Sequence, residues 1–531
     1  MPGTRNSKNS RLSEIVALIL CFLTSAAVMA AALAYFYKSG ATLYSGDAEA
    51  HLNIARRVIE SRTPGWPQLG TTWLPLPHLL MIPLVRHDWL WTTGLAGAFV
   101  SGAATSIATL FLFASFRMIA GVTAAAAGAA VFLLNPNTLY LGSVPMTEPI
   151  FFAAAFALLY FTMRFGGTQG WGAIAGAGLA AFCGALTRYE MWFLLPFAAI
   201  YILIRGGRRR WLAALVFSAM ATAGPVLWLA HNRFYFSDPL YFYRGPWSAL
   251  AIQGKASYPG NDNWAIAAQY FLTAGQLIAG WPALVLGTIG IAVAALKRAL
   301  WPLVLLLLPT VFYVWSIHSS GTPIYVRTLW PHSWYNVRYG MVLLPLLAFG
   351  VAAVVDVLPA GYRVVAAVTT VAATLAPFLL NRAQNPVVWQ EAFVNSRARR
   401  QWVSETADYL RSAMGPHETF FTSFGDLTAV YRTLDIPLRD TLTGDNDVEW
   451  DGAVARPDLF LHTDWAVVMG GDPAQTVIDQ AGLRGPRYDL VRRITVKGAP
   501  AIEIYKRQIE RTLVDEHSDE DPIHKAARRE E

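Results

Sequence analysis

Charge is what this sequence lacks most. Only 15% of its 531 residues are Asp, Glu, Lys or Arg, against about 25% in a soluble globular domain. That shortage excludes an ordinary soluble enzyme. Cysteine is nearly absent too. Cys21 and Cys183 both lie inside apolar runs, which excludes a disulfide framework and a thiolate metal site. There is no Gly-rich phosphate loop, no GxSxG elbow and no HxH or HExxH spacing. Soluble nucleotide chemistry and a motif-built zinc centre are therefore not expected. Internal repeats and long low-complexity tracts are missing as well.

What is present is apolar: 54% of the residues, gathered in runs close to the roughly 20 that cross a bilayer core. The expected fold is a polytopic α-helical membrane protein with about 11 spans. We read them at 15–36, 90–116, 121–141, 147–165, 171–187, 190–205, 211–231, 281–296, 300–318, 340–358 and 363–380. The first run exceeds the 7–15 residues of a signal-peptide core, which favours a retained anchor over cleavage near Ala32-Leu33-Ala34. Segments 73–85 and 264–280 are expected to lie along the membrane surface, the first because Pro75, Pro77 and Pro83 interrupt it.

The net charge of +7 does not point to nucleic acid, because the basic residues flank spans. With the N-terminus inside, the short inner connections carry Arg117, Arg164, the RGGRRR cluster at 205–210, Lys297-Arg298 and Arg363, as the positive-inside rule asks. An odd span count puts the C-terminus outside, together with the larger loops. The expected setting is the inner (cell) membrane, with membrane lipids around the spans.

The division expected from composition is a membrane domain over 1–382, an extracytoplasmic α/β domain over 383–507 and a disordered tail over 508–531. Within the α/β domain, helices are expected near 398–413 and 474–482, strands at 419–424 and 465–469, and a hairpin at 488–506 turning at Lys497-Gly498.

The candidate chemistry lies at the expected outer ends of the spans. Asp47 and His51 are spaced i, i+4 and share one helix face, whereas Glu49 points elsewhere. As plain structure, Asp47 caps its helix and His51 meets headgroups. Glu148 opens an apolar span, which is unfavourable unless it faces a cavity or a partner; with Pro149 behind it, it also suits a helix start. Arg188 pairs with Glu190 or a lipid phosphate. Arg338-Tyr339 follows Trp330, His332, Trp334 and Tyr335, an interfacial belt in which an arginine fork suits phosphate oxygens. Arg327, Arg244 and Lys255 are weaker phosphate candidates, as are Arg56 and Arg57. A divalent metal is an optional cofactor, with Asp47, His51 and His78 (in WLPLPH) as candidate ligands.

An acidic first loop, a TEP turn (147–149), an LTRYE turn (186–190) and an RYGMVLLP opening (338–345) together resemble the GT-C superfamily over about residues 12–380. The similarity is to membrane glycosyltransferases of the protein mannosyltransferase and lipid A aminoarabinose transferase type. The WWDxG signature of the oligosaccharyltransferase branch is absent. The resemblance implies an inverting transfer of one sugar from a polyprenyl-phosphate donor to a glycan, lipid or protein acceptor outside the membrane. It places the first-loop catalytic carboxylate on Asp47 and a second acidic position on Glu148. Ala48 separates two acids that family members often carry side by side, so Glu49 is an alternative base to Asp47, with Asp47 preferred. A lipid-sugar flippase predicts inverted repeats and broken helices with polar groups near mid-membrane, and neither is read here, because the charges cluster at the outer helix ends; it and a non-catalytic envelope assembly protein are the rival expectations.

Overall fold

The computed structural model describes residues 3–254, 256–380, 386–423 and 425–508. The protein is a helical membrane protein with a small C-terminal sheet, and the chain is 71% helical. Lys255 and residues 509–531, which hold almost all of the expected tail, lie outside the described residues.

Among the described residues, seven helices are long and apolar enough to cross a membrane: Leu12–Lys38, Leu95–Arg117, Glu148–Thr168, Gly207–Phe236, Leu300–Ser319, Val337–Val357 and Ala360–Leu380. The first runs without a break through Ala32–Ala34. The other four expected spans are helical but short or broken. Helix Val122–Leu133 stops where Asn135 caps a new helix, Pro136–Leu141, because Pro136 has no amide proton to continue the ladder. Trp171–Ala185 and Tyr189–Arg205 contain 15 and 17 residues.

The break expected between segment 264–280 and the span 281–296 is present. Helix Trp264–Ala279 joins Trp281–Leu296 through a 108° bend at Gly280, whose φ of +77° suits glycine. Its Phe271, Ala274 and Ile278 are fully buried in the main apolar core. The two broken helices meet: Asn135 Nδ2 and Asn137 Nδ2 donate to the Ile278 carbonyl at 2.8 and 3.3 Å. Segment 73–85 is helical as expected. Its helix Leu76–Val85 buries His78, Met81 and Val85, the last two packing with Leu52 and Ala55 of helix Gly46–Glu60.

The bundle has two chemically distinct ends. At one, Asp356 accepts from the Gly121 amide (2.9 Å) and pairs with Lys297 (3.0 Å) and Arg363 (3.8 Å), while Arg117 pairs with Glu14 at 2.6 Å. Arg205 donates to the Gly166 carbonyl at 2.8 Å. At the other end, residues following Lys38, preceding Glu148, between Ala185 and Tyr189, and preceding Leu344 converge.

The chain divides into two compact units: residues up to Ala407 together with Thr428–Arg439, and Asp408–Leu427 together with Asp440 onward. The boundary thus falls later than 383, because helix Val387–Asn395 packs Val387, Val388 and Ala392 into the membrane unit's core. The second unit is a five-stranded sheet of β1 (Phe420–Thr422), β2 (Thr441–Leu442), β3 (Trp465–Met469), β4 (Tyr488–Ile494) and β5 (Ile502–Arg507), in the order β2-β1-β3-β5-β4. The β1–β2 and β1–β3 pairs are parallel, and β5 is antiparallel to β3 and β4. The short β2 and the helices Val448–Ala455 and Pro457–Phe460 go beyond the expected elements.

Candidate functional site

Helix Gly46–Glu60 starts right after Ser45 and carries Asp47 in its first turn, where the amides are free and a carboxylate is favoured. The Asp47 carboxylate accepts from Arg338 Nη2. Arg338 stands at the start of the tight helical segment Val337–Leu343, and its Nε donates to Glu148 Oε1 at 3.0 Å. Arg188, at the N-cap of helix Tyr189–Arg205, donates from Nη1 to the same Glu148 oxygen at 3.0 Å and to Thr147 Oγ1 at 2.6 Å. Asp47, Glu148, Arg188 and Arg338, 291 positions apart at the extremes, thus form one network. The second oxygen, Glu148 Oε2, is buried and has no hydrogen-bond partner among the described residues.

The two arginines flank an aromatic wall. Their guanidinium carbons lie 5.5 Å (Arg188) and 5.1 Å (Arg338) from the Tyr339 ring, which stacks on Tyr313 at 4.7 Å. Arg188 also donates to Glu190 Oε1 at 2.6 Å and to Tyr313 Oη at 2.7 Å, and Tyr313 in turn donates to Glu190. Glu391 approaches Arg338 Nη1 at 3.8 Å. Burial pushes the Glu391 carboxyl up, outweighing the downward pull of Arg338 and of two backbone amides. Burial pushes Asp47 up as well, but Arg338, with help from His51, Arg188 and Arg399, holds it below the usual carboxylate range. In this state Asp47 is an ionised partner of an arginine rather than a poised base.

His51 does share a face with Asp47, yet its Nδ1 meets His78 Nε2 at 3.0 Å, and its ring packs against Trp73 at 4.6 Å. Burial lowers His51 to about 4 and His78 well below its ordinary value, so both rings are neutral at pH 7. The expected metal set does not fit this arrangement. The two histidines face each other and Asp47 is engaged by Arg338, and among the described residues no group of three or more His, Cys, Asp or Glu could hold a metal ion.

Other candidates lie elsewhere. Glu49 is turned to the far side of its helix, where it accepts from Arg432 Nε (2.6 Å) and Asn53 Nδ2 (3.2 Å). Arg56 pairs with Glu60 and with Asp88 (2.5 Å) and covers Trp91 at 4.8 Å. Arg57 donates to the Gln68 carbonyl at 2.6 Å. These contacts pack the first loop. Arg327 is exposed, and Arg244 is exposed with only a 3.8 Å approach to Asp238. Two members of the site, Tyr313 and Glu391, carry no sequence signal strong enough to single them out. Tyr313 is one aromatic among many in an apolar helix, and Glu391 falls beyond 382, in the part that composition assigns to the soluble domain. The NPN bend at 135–137 is a usable signal for the second, because Asn137 Oδ1 accepts from the Val388 amide at 3.0 Å, one helical turn before Glu391.

No protein-family model matches the chain, and no significant match to a curated protein is found.

Proposed function

We propose that this protein is an inverting glycosyltransferase of the GT-C type, moving a single sugar from a polyprenyl-phosphate donor to an acceptor hydroxyl at the outer face of the cell membrane. The observation that carries this reading is the Arg338 bridge between Asp47 and Glu148, with Arg188 sharing Glu148. Two half-buried guanidinium groups beside one another suit a phosphate leaving group, and carboxylates beside them suit a base and a hydroxyl acceptor.

In the proposed reaction the donor phosphate takes Arg338 and Arg188. Asp47 then loses its main counter-charge, and its partial desolvation makes it a stronger proton acceptor. The acceptor hydroxyl gives its proton to Asp47 while its oxygen bonds the anomeric carbon from the face opposite the phosphate. The carbon–oxygen bond to phosphate breaks, the electron pair stays on the phosphate oxygen, and both arginines hold the released anion. The unpartnered Glu148 Oε2 accepts from a sugar or acceptor hydroxyl.

The same contacts support eleven crossings. Asp47, Glu148, Arg188 and Arg338 touch, so the chain between successive members returns to one end of the bundle. An even number of crossings must separate them. The broken pair Val122–Leu133 with Pro136–Leu141, the short helices Trp171–Ala185 and Tyr189–Arg205, and Trp281–Leu296 of the bent pair supply the four missing ones.

A second reading, a lipid-sugar flippase, is favoured by the two facing broken helices. One substitution separates the two. In proteoliposomes with a radiolabelled polyprenyl-phosphate sugar, Asp47→Asn should reduce transfer by about 10²-fold or more while donor binding persists. Undiminished transfer, with equal protein level and insertion, rejects Asp47 as base; donor translocation without any transfer favours the flippase.

A further inference from the structure

Glu391 follows the last apolar helix, yet it is 8% exposed and belongs to the membrane unit. Its Oε1 accepts from the Asn336 amide at 2.9 Å and its Oε2 from the Val337 amide at 2.8 Å. These amides open the helical segment that carries Arg338, and no preceding turn can satisfy them. Asn336 has a left-handed φ of +54° and donates from its side chain to the Pro323 carbonyl at 3.1 Å, so the chain turns sharply just before Arg338. Glu391 spans that turn with both oxygens and faces the Arg338 guanidinium at 3.8 Å.

The chain following Glu391 is anchored on the Asp47 side as well. Arg399 donates to the carbonyls of Leu43 (3.2 Å) and Tyr44 (2.7 Å), just before Asp47. Arg400 lies 4.1 Å over the Tyr44 ring. Residues 387–400 therefore hold the approach to Asp47 and the approach to Arg338 at once. A neutral side-chain amide would satisfy one of the two backbone amides. A buried carboxylate does more, because it keeps a counter-charge on Arg338 while Asp47 changes partner.

We propose that Glu391 is a positioning residue that holds Arg338 in its bridging pose, which makes the segment following the last apolar helix part of the site. This rests on the lipid-phosphate reading above.

The test uses the full-length protein in detergent, with a polyprenyl phosphate as probe and the matching sugar donor for kinetics. Glu391→Ala should weaken probe binding about tenfold and raise the donor KM to a similar extent, with the acceptor KM unchanged. Glu391→Gln keeps an acceptor for one amide and loses the charge, so it should fall between wild type and Ala. A merely structural role would lower the active fraction and Vmax but leave the donor KM alone. That outcome, or equal probe binding by Glu391→Ala, overturns the proposal while the transferase reading stands. If wild type binds no polyprenyl phosphate, the transferase reading fails and this role fails with it. Should the Ala variant not fold, Glu391→Gln alone decides, through the donor KM.

Discussion

Arg338 offers one charge to three carboxylates, and a lysine could not do the same. A planar fork reaches Asp47 from Nη2 and Glu148 from Nε at once, whereas an ammonium is a point donor. The neighbouring His51–His78 pair is the part of the site most sensitive to pH. Burial lowers both histidines, so the unfolded chain binds protons that the folded protein refuses. Their contribution to stability is whole above about pH 6.5, the ordinary histidine value, and is lost as pH falls toward about 4. Asp47, held below its ordinary value, loses its contribution only at still lower pH. Melting in detergent should therefore show a loss on the order of 1–3 kcal/mol between about pH 6.5 and 4.5. A His51→Gln, His78→Gln variant should flatten that slope; an unchanged slope would place the titration elsewhere. The site's main residues were legible at this scale. Asp47, Glu148, Arg188, Arg338 and Tyr339 could be singled out because ionisable groups at apolar helix ends are unfavourable without partners. Glu49 was a misleading neighbour: two positions along a helix turn a side chain about 200° away. Glu391 was hidden by distance along the chain.

Helices Trp281–Leu296 and Leu344–Val357 approach more closely than any side chain would permit. A Cβ on Gly290 would sit 1.8 Å from the Gly350 carbonyl oxygen, and one on Gly350 would sit 2.0 Å from that of Gly287. Small residues let backbones meet in this way, which matters where lipid offers no hydrophobic drive for association. This contact seats the second arm of the bent 264–296 pair. Gly350→Ala should separate the helices at a cost of about 1–3 kcal/mol, read as a lower melting temperature and a smaller monodisperse fraction in detergent. Wild-type melting by this variant would mean that the helices are not so close. The break at Gly280 was legible, because 264–280 and 281–296 read as separate segments with only the second crossing; the 108° angle and the close glycine contact were not. Glu49 and Arg432 make a comparable element-level lock. Removing one partner of a buried ion pair strands the other, which costs about 3–5 kcal/mol, so Arg432→Ala should destabilise more than the double variant with Glu49→Ala. A double-variant loss equal to the sum of the two single losses would mean that the pair is not coupled.

At the scale of the molecule, composition alone gave the class, because a chain so poor in charge and so rich in long apolar runs needs a bilayer around it. It could not give the count, since helices of 15–17 residues fall at the edge of what spans a bilayer. Side-chain contacts constrain the path of the chain more than length does. Residues 121, 297, 356 and 363 meet at one end, and residues 47, 148, 188 and 338 meet at the other. Each of the first set is separated from each of the second by an odd number of the eleven proposed crossings. The short connections at the first end each carry basic residues, so the proposed topology turns that end to the cytoplasm and the site and the sheet unit outward. Cys21 and Cys183 are partly buried, and a version lacking both permits single-cysteine labelling. Trp247→Cys and Lys497→Cys should react with a membrane-impermeant maleimide in intact spheroplasts, and Arg208→Cys only after permeabilisation. Labelling of Arg208→Cys from outside would invert the whole assignment. Labelling of Trp247→Cys but not of Lys497→Cys would contradict the contacts that Glu391 and Arg399 make beside Arg338 and Asp47 and would reject the eleven-crossing topology.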